Sequence, residues 1–217
     1  MNKRIYFIVE GQTEESFVKE ILSKYFLQYE IYVYAIKIET SRGHKGGFVN
    51  YAHLKRDVEI RLKQMGNDII VTTFIDFFRC PELPDKDSYI HIKDHHEKVK
   101  QMEKVIKDDI NDWRFIPYIQ LHEFEALLFS SDKGFKEYFS EEENKELISV
   151  INEFNNPEEI NSNPEKAPSK RLMKIVTDYD KVIHGNIIAL EIGIDGILNK
   201  CPRFKHWIEM LIKIATL

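Results

Sequence analysis

The sequence predicts an α/β fold in which a mostly parallel four-stranded sheet is flanked by helices. Four short apolar runs alternate with segments of helical periodicity, as expected for parallel strands joined by crossover helices. These runs are nearly continuous rather than alternating with polar residues, which indicates strands buried on both faces. Beyond Ser130 the strand signal fades while helical periodicity continues. We therefore expect an α/β core over residues 1–130 and a helical extension over residues 131–217, packed on the core as one structural unit.

The predicted elements follow from local signals along the chain. The expected strands are Ile5–Val9, Ile31–Ile38, Ile69–Ile75 and Phe115–Leu121. Thr13 is expected to cap the first helix, because acidic residues follow it in the first turn. Helical spacing also predicts helices near Val58–Met65, Lys93–Asn111, Lys133–Phe139, Glu143–Phe154, Ser169–Thr177 and Phe204–Ala215. The polar stretch Asn155–Pro168 is expected to be a long mobile or ligand-contacting loop.

Composition limits the classes of protein that the chain can belong to. Of its 217 residues, 43% are hydrophobic, which supplies a real core and excludes wholesale disorder. Its 31 basic and 36 acidic residues give a formal net charge of −5, which argues against a histone-like DNA-binding protein. Two distant cysteines, Cys80 and Cys201, exclude a disulfide framework. With no apolar run long enough to span a bilayer, we expect a soluble cytoplasmic protein.

Acidic residues follow three of the four predicted strands. Glu10 follows the first strand, Asp76 the third, and Glu123 and Glu125 the fourth. Ligands of parallel sheets bind outside the carboxyl ends of the strands, and clustered carboxylates favour a hard divalent cation such as Mg²⁺. The alternative is that these acids merely begin loops. That alternative is strongest for first-turn acids such as Glu14, which stabilise almost any helix through its dipole.

Two basic segments are candidate phosphate sites. Arg42, His44 and Lys45 lie among glycines whose backbone amides could surround a phosphate, although a solvated loop is equally compatible with this composition. Ser169, Lys170 and Arg171 open a predicted helix after Pro168, where a helix N-terminus attracts anions. The alternative there is an ordinary capping serine with surface charges.

Histidines and aromatic residues are expected to be structural. A zinc site at His91, His95 and His96 lacks a further ligand of suitable spacing, so a solvated helix start is favoured. Four aromatic residues are expected in the core rather than as platforms for nucleic-acid bases. These are Trp113, Tyr118, Phe124 and Trp207.

Several segments together resemble the Toprim fold of topoisomerases, primases and OLD-type nucleases. The motif E-G-x-x-E, formed by Glu10 and Glu14, is similar to that of the OLD-type nucleases in particular. More closely, the chain resembles the bacterial family DUF4276, a domain of unknown function placed near Toprim. The matching segments are Val9-Glu10-Gly11-Gln12-Thr13-Glu14, Gly46-Gly47, Ile75-Asp76-Phe77-Phe78 with Pro81 and Pro84, His122-Glu123-Phe124-Glu125-Ala126-Leu127, and Pro168-Ser169-Lys170-Arg171-Leu172.

The resemblance implies a nuclease that uses Mg²⁺ or Mn²⁺ on DNA or RNA. Glu10 and Asp76 would hold the metal, Glu10 would also act as general base or acid, and Glu14 would assist a second ion. Lys170 or Lys45 would stabilise charge on the phosphate. The chain departs from the Toprim pattern, because Asp76-Phe77-Phe78 lacks the second aspartate of Asp-x-Asp. Glu123 would replace that ligand, with Glu125 as the alternate.

The resemblance also implies a second function of a different class. Relatives of this kind are often encoded beside an ATPase, in arrangements that resemble phage-defence or repair modules. The protein would then be a non-catalytic binding subunit of that ATPase, and the missing aspartate would be the mark of a degraded metal site. A primase-like nucleotidyl transferase is a weaker alternative, because no nucleotide-specific motif accompanies the acids.

Overall fold

The computed structural model describes residues 3–41, 44–45, 50–64, 66, 68–78, 80–160 and 164–217. The chain forms two compact units. The sheet unit comprises Met1–Leu121 and Met210–Leu217, and the helical unit comprises His122–Glu209. The predicted boundary after Ser130 lies at the end of a 3₁₀ helix, Phe124–Ser130, inside the helical unit.

The sheet unit is built on parallel strands, so the predicted fold class is confirmed. The strands are β1 (Lys3–Val9), β2 (Ile31–Lys37), β3 (Glu39–Ser41), β4 (His44–Lys45), β5 (Ile69–Asp76), β6 (Phe115–Ile116) and β7 (Ile119–Gln120). The main sheet has the order β2-β1-β5-β6, with β7 also paired to β5, and all of these pairs are parallel. β3 and β4 form a separate antiparallel pair. Every residue of β5 is buried, as its continuous apolar run predicts.

The fourth predicted strand is interrupted by a proline. The prediction of one strand over Phe115–Leu121 is wrong in this detail, because β6 and β7 are separated by Pro117 and Tyr118. Proline has no amide hydrogen to donate to the neighbouring strand. The hydroxyl of Thr73 on β5 compensates, since it accepts from Tyr118 N at 2.8 Å and donates to Tyr118 O at 2.7 Å.

The helices of the sheet unit cover its strands and are capped by local signals. They are α1 (Gln12–Phe17), a π-helical segment (Val18–Leu22), α2 (Ser23–Leu27), α3 (Tyr51–Gln64) and α4 (His95–Ile110). The first cap is Gly11 rather than the predicted Thr13, which lies inside α1. Asp94 caps α4 by accepting from Glu97 N at 2.9 Å, and Asn111 ends it in the left-handed conformation.

The helical unit contains the predicted helices and one that the sequence analysis missed. Its helices are α5 (Lys133–Tyr138), α6 (Glu141–Glu153), α7 (Pro168–Ile175), α8 (Ile183–Lys200) and α9 (Pro202–Thr216), the last of which ends in the sheet unit. The missed helix is α8, which is apolar on several faces and contains three glycines, so it lacks a clear amphipathic stripe. At Gly193 the backbone adopts φ of 71°, which interrupts the helical geometry.

Part of the predicted mobile loop is a buried structural segment. Glu158 lies in the 3₁₀ helix Pro157–Glu159 and is 0% exposed. Its carboxylate accepts from Arg203 N at 2.8 Å and from Phe204 N at 3.0 Å, in the first turn of α9. These amides have no partner within their own helix, so Glu158 caps α9 from a distant part of the sequence. Among the described residues, no helix has the length and apolar character needed to cross a membrane.

We predict that Thr73→Val destabilises the sheet unit by about 2 kcal/mol, because the buried N–H and C=O groups of Tyr118 lose their partner. Valine keeps the shape and β-branching of threonine, which isolates the contribution of the hydroxyl. Urea unfolding followed by circular dichroism measures the change. Thr177→Val, at an exposed position, is the matched control and should leave the transition unchanged. Equal midpoints for the two variants would show that the hydroxyl does not support the strand break.

Candidate metal centre

Glu10 and Asp76 lie side by side at the carboxyl ends of two neighbouring strands. Val9 of β1 is in register with Phe74 of β5, and Glu10 N donates to Phe74 O at 3.4 Å. The Glu10 carboxylate then accepts from the backbone N–H of Asp76, with Oε2 and N 3.3 Å apart. Both side chains are largely buried, with 5% exposure for Glu10 and 7% for Asp76. The sheet therefore brings together the two acids that were predicted to hold a metal ion.

Glu14 supports the turn that follows Glu10. Its Oε2 accepts from Gly11 N at 2.9 Å, and its side chain is buried. A Cβ atom on Gly11 would lie only 3.0 Å from this oxygen, so a glycine permits the close approach. One oxygen of Glu14 is thus committed to the backbone beside Glu10, which gives Glu14 a positioning role in the turn.

Glu15 is held by surface cations. Lys19 Nζ lies 2.7 Å from one of its oxygens, and Lys37 Nζ lies 2.9 Å from the other. Burial opposes ionisation of Glu15, but the hydrogen bonds from both lysines prevail and lower its pKa below the ordinary value. The two adjacent glutamates of α1 therefore serve different purposes.

Cys80 lies in the turn after β5, and the sequence analysis did not connect it with Glu10. Its amide donates to Phe77 O at 3.2 Å, which closes the turn after β5. Burial, together with the negative charge of the neighbouring Glu10, raises the pKa of the Cys80 thiol to about 12. No sequence signal could indicate this electrostatic interaction, because Cys80 has no motif of its own.

In the helical unit, Glu123 is bound to the N-terminus of α7. His122, with φ of 67°, turns the chain sharply just before Glu123. Glu123 Oε2 accepts from Ser169 N at 3.0 Å, where Ser169 is in the first turn of α7. The amide that was predicted to bind a phosphate thus binds a carboxylate of the protein itself, as the partial positive charge of a helix N-terminus favours.

Glu125 is paired with Lys181, a residue that the sequence analysis did not single out. Glu125 is only 2% exposed, and its Oε1 lies 2.9 Å from Lys181 Nζ. Burial raises the pKa of Glu125, and the charge of Lys181 offsets part of that effect. Burial and the charges of Glu125, Asp180 and Glu123 raise the pKa of the nearby Tyr179 as well. Glu123 and Glu125, the second half of the predicted donor set, are thus both engaged by groups of the helical unit.

The remaining predicted phosphate ligands fall into three groups: outside the described residues, engaged by other side chains, or exposed to solvent. Arg42 lies outside the described residues, as do the side chains of His44 and Lys45. Arg171 is engaged within the helical unit, because its guanidinium lies 3.3 Å from Glu153 and over the ring of Phe154. Lys170 is exposed and borders a groove of about 440 Å³ between α6 and α7. Of the basic residues that open α7, Lys170 is thus the one directed to solvent.

Three of the four aromatic predictions are confirmed, and the structure shows where the histidines lie. His95 begins α4, where a solvated helix start was favoured over a zinc site, and Phe77 packs against its ring. Phe124, Tyr118 and Trp207 are buried as predicted. Trp113 is 62% exposed, so its assignment to the core is wrong. It lies in the short turn between α4 and β6, and alternation with apolar neighbours does not predict burial in a turn.

The acids of the sheet unit suit Mg²⁺, which needs few protein ligands. They suit less well a metal ion that protein side chains surround completely. Among the described parts of the chain, no three His, Cys, Asp or Glu side chains form a group that could hold a metal ion. Magnesium is commonly held by one or two carboxylates together with water and substrate phosphate. Glu10 and Asp76 are two buried oxygen donors of that kind, joined through the backbone of Asp76.

The fold and these residues define an α/β protein with two buried acids, Glu10 and Asp76, at the ends of adjacent parallel strands. Residues 9–212 match the family DUF4276, a domain of unknown function, and the chain belongs to this family. The family resemblance predicted from the sequence is thereby confirmed. No curated protein matches the chain. Among solved structures, it is similar to the C-terminal region of the Burkholderia pseudomallei OLD protein, with a TM-score of 0.47, 14% identity and 100% of each chain covered.

We predict that Glu10→Gln accelerates alkylation of Cys80 by iodoacetamide several-fold at mildly alkaline pH. Removing the neighbouring negative charge lowers the pKa of the thiol, and the thiolate is the reactive form. A glutamine carbonyl can still accept from Asp76 N, so the local structure is retained. Peptide mass spectrometry compares Cys80 with the buried Cys201, whose rate should not change. Glu20→Gln, at an exposed position of the π-helical segment, is the control. Equal Cys80 rates in the two variants would show that the charge of Glu10 does not act on the Cys80 thiol.

We predict that Lys181→Met destabilises the helical unit by about 2 kcal/mol. Removing one partner of a fully buried ion pair lowers the free energy of unfolding by more than this. The partial exposure of Lys181 makes the expected loss smaller here. Burial raises the pKa of Glu125 in the folded state, so the folded protein binds this proton more tightly than the unfolded chain. Stability from this group is therefore present below the ordinary carboxyl pKa and falls as the pH rises through the folded pKa.

The loss of stability in Lys181→Met should accordingly be larger at pH 8 than at pH 5, because a protonated Glu125 carries no charge for a cation to offset. Thermal unfolding at both pH values measures it, and Glu125→Gln combined with Lys181→Met should recover part of the loss. A pH-independent loss, with no recovery in the double variant, would show that the pair does not couple electrostatically.

Proposed function

We propose that the protein is a Mg²⁺-dependent phosphodiester hydrolase of the Toprim type that acts on DNA or RNA. The observation that carries the proposal is the hydrogen bond from the Asp76 amide to the Glu10 carboxylate, which joins two buried acids at the ends of adjacent parallel strands. A buried carboxylate is costly unless a cation or hydrogen bonds compensate it, so buried acids at strand ends are candidates for functional sites. Ligands of α/β proteins also bind at the carboxyl ends of the strands in an open parallel sheet.

In this proposal Glu10 and Asp76 hold Mg²⁺ or Mn²⁺. Such an ion would supply positive charge to a phosphate oxygen and would lower the pKa of a water molecule beside it. The backbone amide of Asp76 fixes the rotamer of Glu10, and Glu14 fixes the turn behind it through Gly11. Glu10 is the residue proposed to take up and release the proton during hydrolysis.

Lys170 is proposed to stabilise the negative charge that develops on the phosphate. It is exposed in the first turn of α7, whereas Arg171 is engaged by Glu153. Recruitment of Glu123 or Glu125 as a further metal ligand stays a prediction from the sequence. Glu123 would have to bind metal through the oxygen that does not accept from Ser169, and Glu125 would have to release Lys181.

The cellular setting is proposed from the family resemblance alone. A nuclease of this type would act in the cytoplasm, in a phage-defence or repair module, together with an ATPase encoded nearby. Nucleic acid would be the substrate and the ATPase the protein partner.

A second candidate function is a non-catalytic subunit that binds an ATPase. The engagement of both Glu123 and Glu125 by groups of the helical unit favours it, because acids that serve structure need no metal. In that case the remaining pair, Glu10 and Asp76, would be a remnant of a metal site. Metal titration separates the two candidates more directly than a cleavage assay alone.

We expect Mg²⁺- or Mn²⁺-dependent cleavage of plasmid, linear or single-stranded nucleic acid by the wild-type chain. Glu10→Gln and Asp76→Asn should each lower the rate by about 100-fold or more, because each removes a charged metal ligand. Glu20→Gln is the surface control and should cleave normally. Cleavage that persists unchanged in both ligand variants would belong to a contaminant.

Calorimetric titration with Mn²⁺ then tests the metal site independently of cleavage. Saturable binding that is lost in Asp76→Asn and retained in Glu20→Gln supports the hydrolase. Absence of such binding in the wild-type chain would favour the non-catalytic subunit.

A further inference from the structure

The groove between α6 and α7 has a basic wall. Three exposed lysines, Lys166, Lys170 and Lys174, line it together with Arg171. Each lysine follows the previous one by four residues, so Lys170 and Lys174 lie on one face of α7, about 6 Å apart along its axis. From Lys166 to Lys174 the chain carries four basic residues and no acid, although its net charge is −5. Positive charge is therefore concentrated at this groove of the helical unit.

These three lysines differ from other lysines of the chain in what lies four residues away. Elsewhere that position often holds an acid, which pairs with the lysine as in Lys19–Glu15, Lys63–Glu59, Lys86–Glu82, Lys104–Asp108 and Lys136–Asp132. Along the groove it holds another lysine, and the three ammonium groups form no ion pair with the described residues. Like charges at this spacing repel one another. A solvated helix gains nothing from such a row, whereas an anion in the groove would compensate it.

Arg171 links the two walls of the groove. Its guanidinium lies 3.3 Å from Glu153 on α6 and over the ring of Phe154, and its Nε donates to Lys166 O at 3.1 Å. Arg171 is thereby engaged within the protein, while the three lysines remain available to a ligand. The α6 wall carries the acids Glu146 and Glu153. An anion that entered the groove would therefore lie along the lysines and away from α6.

We propose that Lys166, Lys170 and Lys174 bind the phosphates of one nucleic-acid strand along this groove. The inference rests on the proposed nuclease function and adds a substrate-binding site on the helical unit. A row of three cations suits a polyanion, because a single free phosphate could not contact the whole row. Lysine acts as a point charge on a flexible stem, so the row contacts phosphates and not base edges. Binding should therefore be independent of base sequence and strongly weakened by salt.

The test is the binding of fluorescein-labelled oligodeoxythymidylate to the full chain, followed by anisotropy at several salt concentrations in EDTA so that no cleavage occurs. Lys166→Gln combined with Lys174→Gln removes two of the three charges and should weaken binding several-fold. The plot of log affinity against log salt should become shallower by about 1.4, because each phosphate contact on a single strand contributes about 0.7. Lys133→Gln combined with Lys145→Gln makes the same charge change at exposed lysines outside the groove and should bind like wild type. Thermal unfolding verifies that each variant is folded.

Polyglutamate tests whether the groove takes an acidic protein segment instead. Tighter binding of polyglutamate than of thymidylate, lost in the same groove variant, would overturn the inference. Equal affinities and salt slopes of the wild type and the groove variant, or no saturable binding of thymidylate by the wild-type chain, would also overturn it. Binding that depends on Lys166 and Lys174 without Mg²⁺-dependent cleavage would retain the groove and refute the nuclease. Cleavage by the wild-type chain with no dependence of binding on these lysines would do the reverse.

Discussion

The hydrogen bond from the Asp76 amide to the Glu10 carboxylate is the interaction on which the candidate site depends. It exists because β1 and β5 are parallel neighbours in a register that ends both strands at the same edge of the sheet. The register pairs Val9 with Phe74, which places the Glu10 carboxylate within reach of the Asp76 amide. The buried apolar strands that hold the register therefore also hold the acids together.

Three buried glutamates of the helical unit are stabilised by the ends of helices or by lysine. Glu123 binds the N-terminus of α7, Glu158 binds that of α9, and Glu125 binds Lys181. Each arrangement compensates the loss of hydration that burial imposes on a carboxylate. Acids that look like metal ligands in a sequence can thus be structural, and the partner of each carboxylate distinguishes the two roles.

The main features of the sheet unit could be predicted because they follow from short-range patterns. Continuous apolar runs located β1, β2 and β5, and the order of strands and helices indicated parallel pairing. The break at Pro117 and the capping of α1 by Gly11 were not predicted. Both depend on which acceptor a particular backbone amide binds. Helix α8 was missed because apolar residues lie on several of its faces, which removes the amphipathic stripe.

The sequence alone determined the fold class, the family and the two acids that end β1 and β5, because periodicity and local motifs encode these directly. Only the tertiary structure decided which partners the acids take. Ser169 and Lys181 lie 46 and 56 positions beyond Glu123 and Glu125 in the sequence, and Cys80 lies 70 positions beyond Glu10. Contacts between such distant residues arise from the packing of whole elements, and the chain carries no local pattern for them.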